Sequence, residues 1–164
     1  MGLMAYIPFY YIDFLKGEPI YAGTLVSVLL LGGVAGTLGG SMLADRWGHK
    51  RYLVCSMLLS SLLLPLIFVA KGFLLFVVLG AVGMALISSF TVTIVMAQQI
   101  LPRNLGIASG LMVGFAIGTG GLGVTILGVV ADRFGVPTAL HSIMLLPVAG
   151  FILSLPIRYP EPTR

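Results

Sequence analysis

The feature that most constrains this chain is a set of long segments without a charged side chain. Five such segments occur in the 164 residues: 19–44, 52–70, 72–102, 104–131 and 134–157. Each reaches roughly the 18 or more residues that a helix needs to cross a ~30 Å hydrocarbon core. Charged side chains are costly at the centre of an inserted helix, and all nine basic and five acidic residues lie outside these segments. The pattern predicts an all-α integral membrane protein.

The apolar segments predict six transmembrane helices joined by short loops. The predicted spans are 1–12, 20–43, 52–70, 73–101, 107–130 and 138–157, with a loop at 44–51 and a tail at 158–164. The first span would rise only about 18 Å at 1.5 Å per residue, too little to cross a bilayer. We therefore expect the chain to begin inside a truncated helix of a longer protein.

The basic residues of the loops predict the orientation. One side of the membrane would receive six of them: Arg46, Lys50, Arg51, Arg103, Arg158 and Arg164. The other side would receive three: Lys16, Lys71 and Arg133. Because cytoplasmic loops carry the excess of Lys and Arg, the 44–51 loop and the C-terminal tail are expected on the cytoplasmic side of the inner (plasma) membrane.

The same composition argues against several other functions. The net charge of +4 follows from topology, and no basic patch is interleaved with aromatics, so nucleic acid is not an expected partner. One cysteine and two histidines cannot build a disulfide framework or a metal cluster, and no cofactor is expected. No span offers a catalytic dyad, so the chain is not expected to be an enzyme.

The segment LADRWG at 43–48 recurs as VADRFG at 130–135. Aligning Asp45 with Asp132 also pairs glycines in the preceding helices: Gly33 with Gly120, and Gly36 with Gly123. Three helices separate the copies, which would place them on opposite membrane faces. This predicts an inverted 3+3 repeat, a construction typical of secondary transporters. The alternative is a common helix-ending turn that arose twice.

The first copy resembles a loop pattern of the major facilitator superfamily, G-x-L-A-D-R-x-G-R-K. The matching residues are Leu43, Ala44, Asp45, Arg46, Gly48 and Lys50, while Ser41 and His49 depart from the pattern. The segment 97–123, AQQILPRNLGIASGLMVGFAIGTGGLG, resembles the tenth and eleventh helices of the fosmidomycin-resistance branch. The resemblance implies helices seven to twelve of a twelve-helix transporter, with a missing N-terminal six-helix half as partner, in the same chain or a separate one.

The resemblance also implies a gating role for both copies of the motif. Asp45 ends its helix, where the helix dipole is negative, and should seek a positive partner such as Arg46, Lys50, Arg51 or a neighbouring helix N-terminus. The implied gating residues are Asp45, Arg46, Gly48, Lys50, Arg51, Asp132, Arg133 and Gly135. The alternative is a solvated turn whose cations only fix topology.

Two rows of glycine recur every four residues and predict close helix approach. The predicted packing positions are Gly32, Gly36 and Gly40 in one helix and Gly110, Gly114 and Gly118 in another. Such faces could slide during transport or form static seams. The dense glycines of GTGGLG at 118–123 are compatible with local unwinding beside a cavity.

Few polar residues lie in the spans, and these are the substrate-cavity candidates: Ser89, Thr93, Gln98, Gln99 and Tyr6. The alternatives are hydroxyls that bond their own helix and a tyrosine anchored at the membrane interface. No span contains Asp, Glu, Lys or Arg, so a coupling residue is expected in the missing half or at a helix edge such as Asp13.

Three functions remain open on the sequence. The first is alternating-access transport of a small molecule, as proton-coupled drug efflux of the fosmidomycin-resistance type. The second is a half of another solute porter, working as a homodimer or with a separately encoded half. The third is a fragment or membrane scaffold without transport.

Overall fold

The computed structural model describes residues 2–13, 16–70 and 72–156. Within these residues the chain forms six α-helices and no strand: α1 (Gly2–Asp13), α2 (Pro19–Trp47), α3 (His49–Val69), α4 (Phe73–Ile100), α5 (Leu105–Phe134) and α6 (Val136–Ser154). The five helices after α1 are long and apolar enough to cross a membrane. The all-helical membrane fold predicted from the uncharged segments is confirmed.

The helices extend further than the apolar segments. The segment 44–51, expected to be a loop, is helical except at Gly48, because α2 continues through Trp47 and α3 begins at His49. In the same way α5 reaches Phe134 and α6 starts at Val136, so that Gly135 alone separates them. Backbone groups near a bilayer need internal hydrogen bonds, and continuing the helix provides them. The expected tail at 158–164 lies outside the described residues.

The tightest packing joins α2 to α4. A Cβ added at Gly32 would meet the backbone of Gly80, and one added at Gly36 would meet the backbone of Met84. From the other side, a Cβ at Gly83 would meet the carbonyl of Leu29. Only glycine allows backbones to approach this closely, so these positions hold α2 and α4 together.

Two buried apolar clusters mark opposite ends of the bundle. The larger contains Leu25 and Leu75, near the starts of α2 and α4, and Val136 packs against it. The smaller contains Ala44 and Met96, near the ends of the same two helices. The α2–α3 joint and the α5–α6 joint therefore lie at opposite ends. We call the end that holds the α2–α3 joint the motif end.

Candidate functional site at the motif end

The α2–α3 joint is a single residue. Gly48 has φ 96° and ψ 134°, its N–H donates to the Ala44 carbonyl at 2.9 Å, and its own carbonyl accepts from the Tyr52 N–H at 3.0 Å. L-residues rarely adopt this positive φ, so glycine is required here. The joint therefore brings the basic residues at the end of α2 and the start of α3 close together.

Asp45 pairs with a residue that sequence analysis did not assign to it. Its Oδ1 lies 3.4 Å from Nε2 of His49, the first residue of α3, on the other side of the Gly48 joint. The His49 side chain is buried, whereas that of Asp45 is 71% exposed. His49 had been recognised only as a departure from the family pattern. Asp45 belongs to α2 and His49 to α3, with the non-helical Gly48 between them, so no helical spacing in the sequence signalled this contact.

Near the α2–α3 joint, four hydroxyl groups connect α3 to α4: those of Tyr52, Ser56, Ser88 and Ser89, which we call the hydroxyl cluster. Tyr52 donates to Ser88 Oγ at 2.8 Å, and the hydroxyls of Ser56 and Ser89 lie 2.6 Å apart. Ser88 and Ser89 have no solvent-exposed surface. A Cβ added at Gly40 would meet the Tyr52 hydroxyl, so α2 packs against the same cluster.

The structure does not gather the five predicted cavity candidates at one place. Ser89 lies inside the hydroxyl cluster, and Thr93 donates to the Ser89 carbonyl at 2.8 Å on its own helix. Gln98 Nε2 donates to Ser109 Oγ at 2.7 Å and ties α4 to α5, and Gln99 is exposed beside it. On another helix, Tyr6 lies 3.4 Å from the Val124 carbonyl of α5. Three of the five therefore make contacts that join helices.

A half-open cavity lies beside the glycine-rich segment of α5, where the sequence was compatible with one. A space of about 420 Å³ lies between α1, α3, α4, α5 and α6. Its lining is apolar apart from Thr119, whose hydroxyl donates to the Phe115 carbonyl at 2.7 Å. Gly120 and Gly123 form part of the wall, so the dense glycines at 118–123 do border a cavity, but α5 remains helical through them.

The two glycine rows have different surroundings. Gly32, Gly36 and Gly40 contact α4 or α3, as described above. Around a Cβ added at Gly110, Gly114 or Gly118, nothing lies within 4 Å among residues 2–13, 16–70 and 72–156. Ala108 is the one buried residue of α5 in that part of the chain. The α5 row therefore does not pack against the helices described here, because α5 lies at the edge of the bundle.

The second copy of the motif repeats the geometry of the first. Gly135 has φ 88° and ψ 158°, its N–H donates to the Ala131 carbonyl at 2.8 Å, and its carbonyl accepts from Ala139 at 3.3 Å. Asp132 and Arg133 are exposed at this end. Position 136 is valine, so the partner that Asp45 finds in His49 has no counterpart in the second copy.

Long apolar helices joined at two glycine positions define a multi-pass α-helical membrane protein. The chain belongs to the Major Facilitator Superfamily, whose family model matches residues 1–164. Family membership confirms the resemblance carried by the two motif segments.

Two curated relatives resemble the chain. It is 38% identical over 148 residues to the "Uncharacterized MFS-type transporter YfnC" of Bacillus subtilis (strain 168), covering 90% of this chain and 36% of the relative. It is 34% identical over 122 residues to the "Fosmidomycin resistance protein" of Escherichia coli (strain K12), covering 72% of this chain and 29% of the relative. The chain thus spans about a third of the length of each relative.

Proposed function

We propose that the chain is part of a transporter that exports a small molecule by alternating access, with efflux of the fosmidomycin-resistance type driven by protons. The observation that carries this proposal is the 34% identity to the Fosmidomycin resistance protein over 72% of the chain. Membership of the Major Facilitator Superfamily supports the wider part of the proposal, movement of a solute across a membrane.

In this proposal the motif end forms the cytoplasmic gate. Gly48 fixes the directions of α2 and α3, and the Asp45 carboxylate stays on the exposed side of the joint. There it can accept hydrogen bonds from a helix end that approaches in one state and withdraws in the other. His49 holds the carboxylate in place between these states, and Arg46, Lys50 and Arg51 keep this end in the cytoplasm.

The remaining helices of the transporter would cover α5. Its glycine row and large apolar side chains such as Leu111 and Phe115, which are 67% and 71% exposed, offer a face for helix packing. We infer that part of this face packs against an N-terminal six-helix half and that lipid covers the rest, in the inner membrane with the C-terminus cytoplasmic. A proton-carrying residue would then lie outside the spans of this chain.

Export is tested by placing the natural gene product that contains this chain in a bacterium sensitised to fosmidomycin. We expect lower accumulation of the drug and higher resistance. Asp45→Asn should lower the export rate about tenfold, which corresponds to about 1.4 kcal/mol of lost bias between gate states. The matched control is Glu18→Gln, which removes an exposed carboxylate from the other end of α2 and should change nothing.

A second candidate is export of a different solute, favoured by the 38% identity to the YfnC transporter over 90% of the chain. Unchanged fosmidomycin resistance, together with Asp45-dependent resistance to another compound, would select this candidate. If no compound is exported and Asp45→Asn has no effect on any flux, the chain is a non-transporting fragment or scaffold.

A further inference from the structure

A groove at the α2–α3 joint carries three basic side chains, to which the proposal above gives only the role of keeping this end in the cytoplasm. Its volume is about 680 Å³, within the range of sites that hold small ligands. The lining residues come from both sides of Gly48: Arg46, Trp47, Lys50, Arg51, Val54 and Cys55. No acidic residue is among them.

Lys50 and Arg51, two of the groove's three cations, are not paired with the Asp45 carboxylate. Asp45 faces His49, at 3.4 Å. In the stretches 2–13, 16–70 and 72–156, Lys50 and Arg51 have no carboxylate within 4 Å. The first turn of α3 adds the positive end of a helix dipole and has no side-chain cap. The groove therefore favours an anion, and a phosphate suits both the lysine and the arginine.

The remaining lining distinguishes a lipid from a free phosphate. Trp47 is 58% exposed, and tryptophan is typical of the level at which lipid headgroups lie. Val54 and Cys55 come one turn further along α3, which then continues as an apolar span to Val69. A free phosphate would use the cations alone, whereas a phospholipid would also cover this apolar surface.

We propose that the groove binds the headgroup of an anionic phospholipid. Lys50 and Arg51 hold the phosphate, the glycerol backbone lies beside Trp47, and an acyl chain follows α3 past Val54. The predicted orientation places the groove in the cytoplasmic leaflet, which carries the anionic lipids. This inference depends on the groove and its charges and not on which solute is exported.

Native mass spectrometry of the purified full chain, titrated with phosphatidylglycerol or with phosphatidylcholine, tests the proposal. We expect phosphatidylglycerol to bind more tightly. Replacing both cations, Lys50→Gln with Arg51→Gln, should weaken its binding about thirty-fold, which is about 1 kcal/mol for each basic residue near the membrane surface. The matched control is Arg103→Gln, an exposed cation between α4 and α5, which should leave the affinity unchanged.

A second double variant, Lys50→Arg with Arg51→Lys, changes both side chains but keeps both positive charges. It should bind phosphatidylglycerol as the parent chain does, which distinguishes a loss of charge from a loss of folded structure. If the neutral pair does not fold, this variant and the preference of the parent chain for phosphatidylglycerol decide the question. Equal binding of the two lipids, or equal losses for the neutral pair and for Arg103→Gln, would overturn the proposal. Displacement of the lipid by an equal concentration of glycerol phosphate would assign the groove to soluble phosphate esters instead.

Discussion

At the scale of single residues, the motif end shows which details a sequence can supply. The sequence predicted a loop at 44–51 with Gly48 as part of its motif, and the structure reduces this loop to Gly48 alone, which has a positive φ. The pairing of Asp45 with His49 was not predicted, because the sequence offered three cations nearby, Arg46, Lys50 and Arg51, as its partners. Only the helical geometry on both sides of the joint selects His49 instead.

Gly48→Ala should lower the free energy of unfolding by about 1–3 kcal/mol, the cost of holding a side chain in an unfavourable backbone region. An SDS titration monitored by circular dichroism measures the change. The control is Gly39→Ala, because Gly39 lies within α2 and a Cβ there meets nothing within 4 Å. Equal stability of the two variants would show that the joint tolerates an L-residue.

The hydroxyls of Ser56 and Ser89 should contribute a small coupling across α3 and α4. Each hydroxyl also has a carbonyl of its own helix within donating distance, that of Leu53 at 3.0 Å from Ser56 and that of Ala85 at 2.6 Å from Ser89, so each keeps a partner when the other serine is replaced. A double-mutant cycle with Ser56→Ala and Ser89→Ala should give a coupling of about 0.6 kcal/mol, the average for such contacts in membranes. A coupling of zero would mean that the 2.6 Å contact adds nothing beyond the bonds within each helix.

At the scale of helices, one sequence pattern has two structural outcomes. Glycine recurs every four residues in α2 and in α5, and the sequence predicted packing for both rows. In α2 the row meets the backbone of α4, whereas in α5 nothing lies within 4 Å among the described residues. The spacing places glycines on one face of a helix, but which helix covers that face depends on the arrangement of the whole bundle.

Gly36→Ala should destabilise the chain by about 1–3 kcal/mol, because the added methyl would collide with the backbone of Met84, which cannot move as a side chain could. Gly39→Ala, three residues along the same helix, is the control and should be neutral or up to about 1 kcal/mol stabilising, since alanine is the better helix former. Thermal unfolding in detergent compares them. An equal change in stability in both variants would show that the contact of Gly36 with α4 does not set the effect.

At the scale of the whole molecule, the inverted repeat and the position of α5 at the edge of the bundle both support the proposal that the chain is part of a larger transporter. The two glycine joints have the same backbone conformation and the same hydrogen bonds at opposite ends of the bundle, as an inverted repeat requires. The sequence predicted the helices and the placement of the two motif copies at opposite ends of the bundle, because both follow from local sequence patterns. It could not predict the lining of the half-open 420 Å³ cavity beside 118–123, because the lining depends on how five helices from distant parts of the chain meet.

The exposed glycine face of α5 can be tested by comparing the effect of one substitution on the stability of the chain alone and of the natural gene product that contains it. In the chain alone, Gly114→Leu should leave stability unchanged or raise it by up to about 1 kcal/mol, because leucine is the better helix former and nothing described lies within 4 Å of the new Cβ. In the natural gene product we expect the same change to cost about 1–3 kcal/mol, because a helix from the proposed N-terminal half would be pushed away. Gly114→Ala should cost less there, since overpacking increases with the volume added. If leucine is equally harmless in both proteins, α5 faces lipid at this position, and the proposed helix contact through the glycine row is wrong.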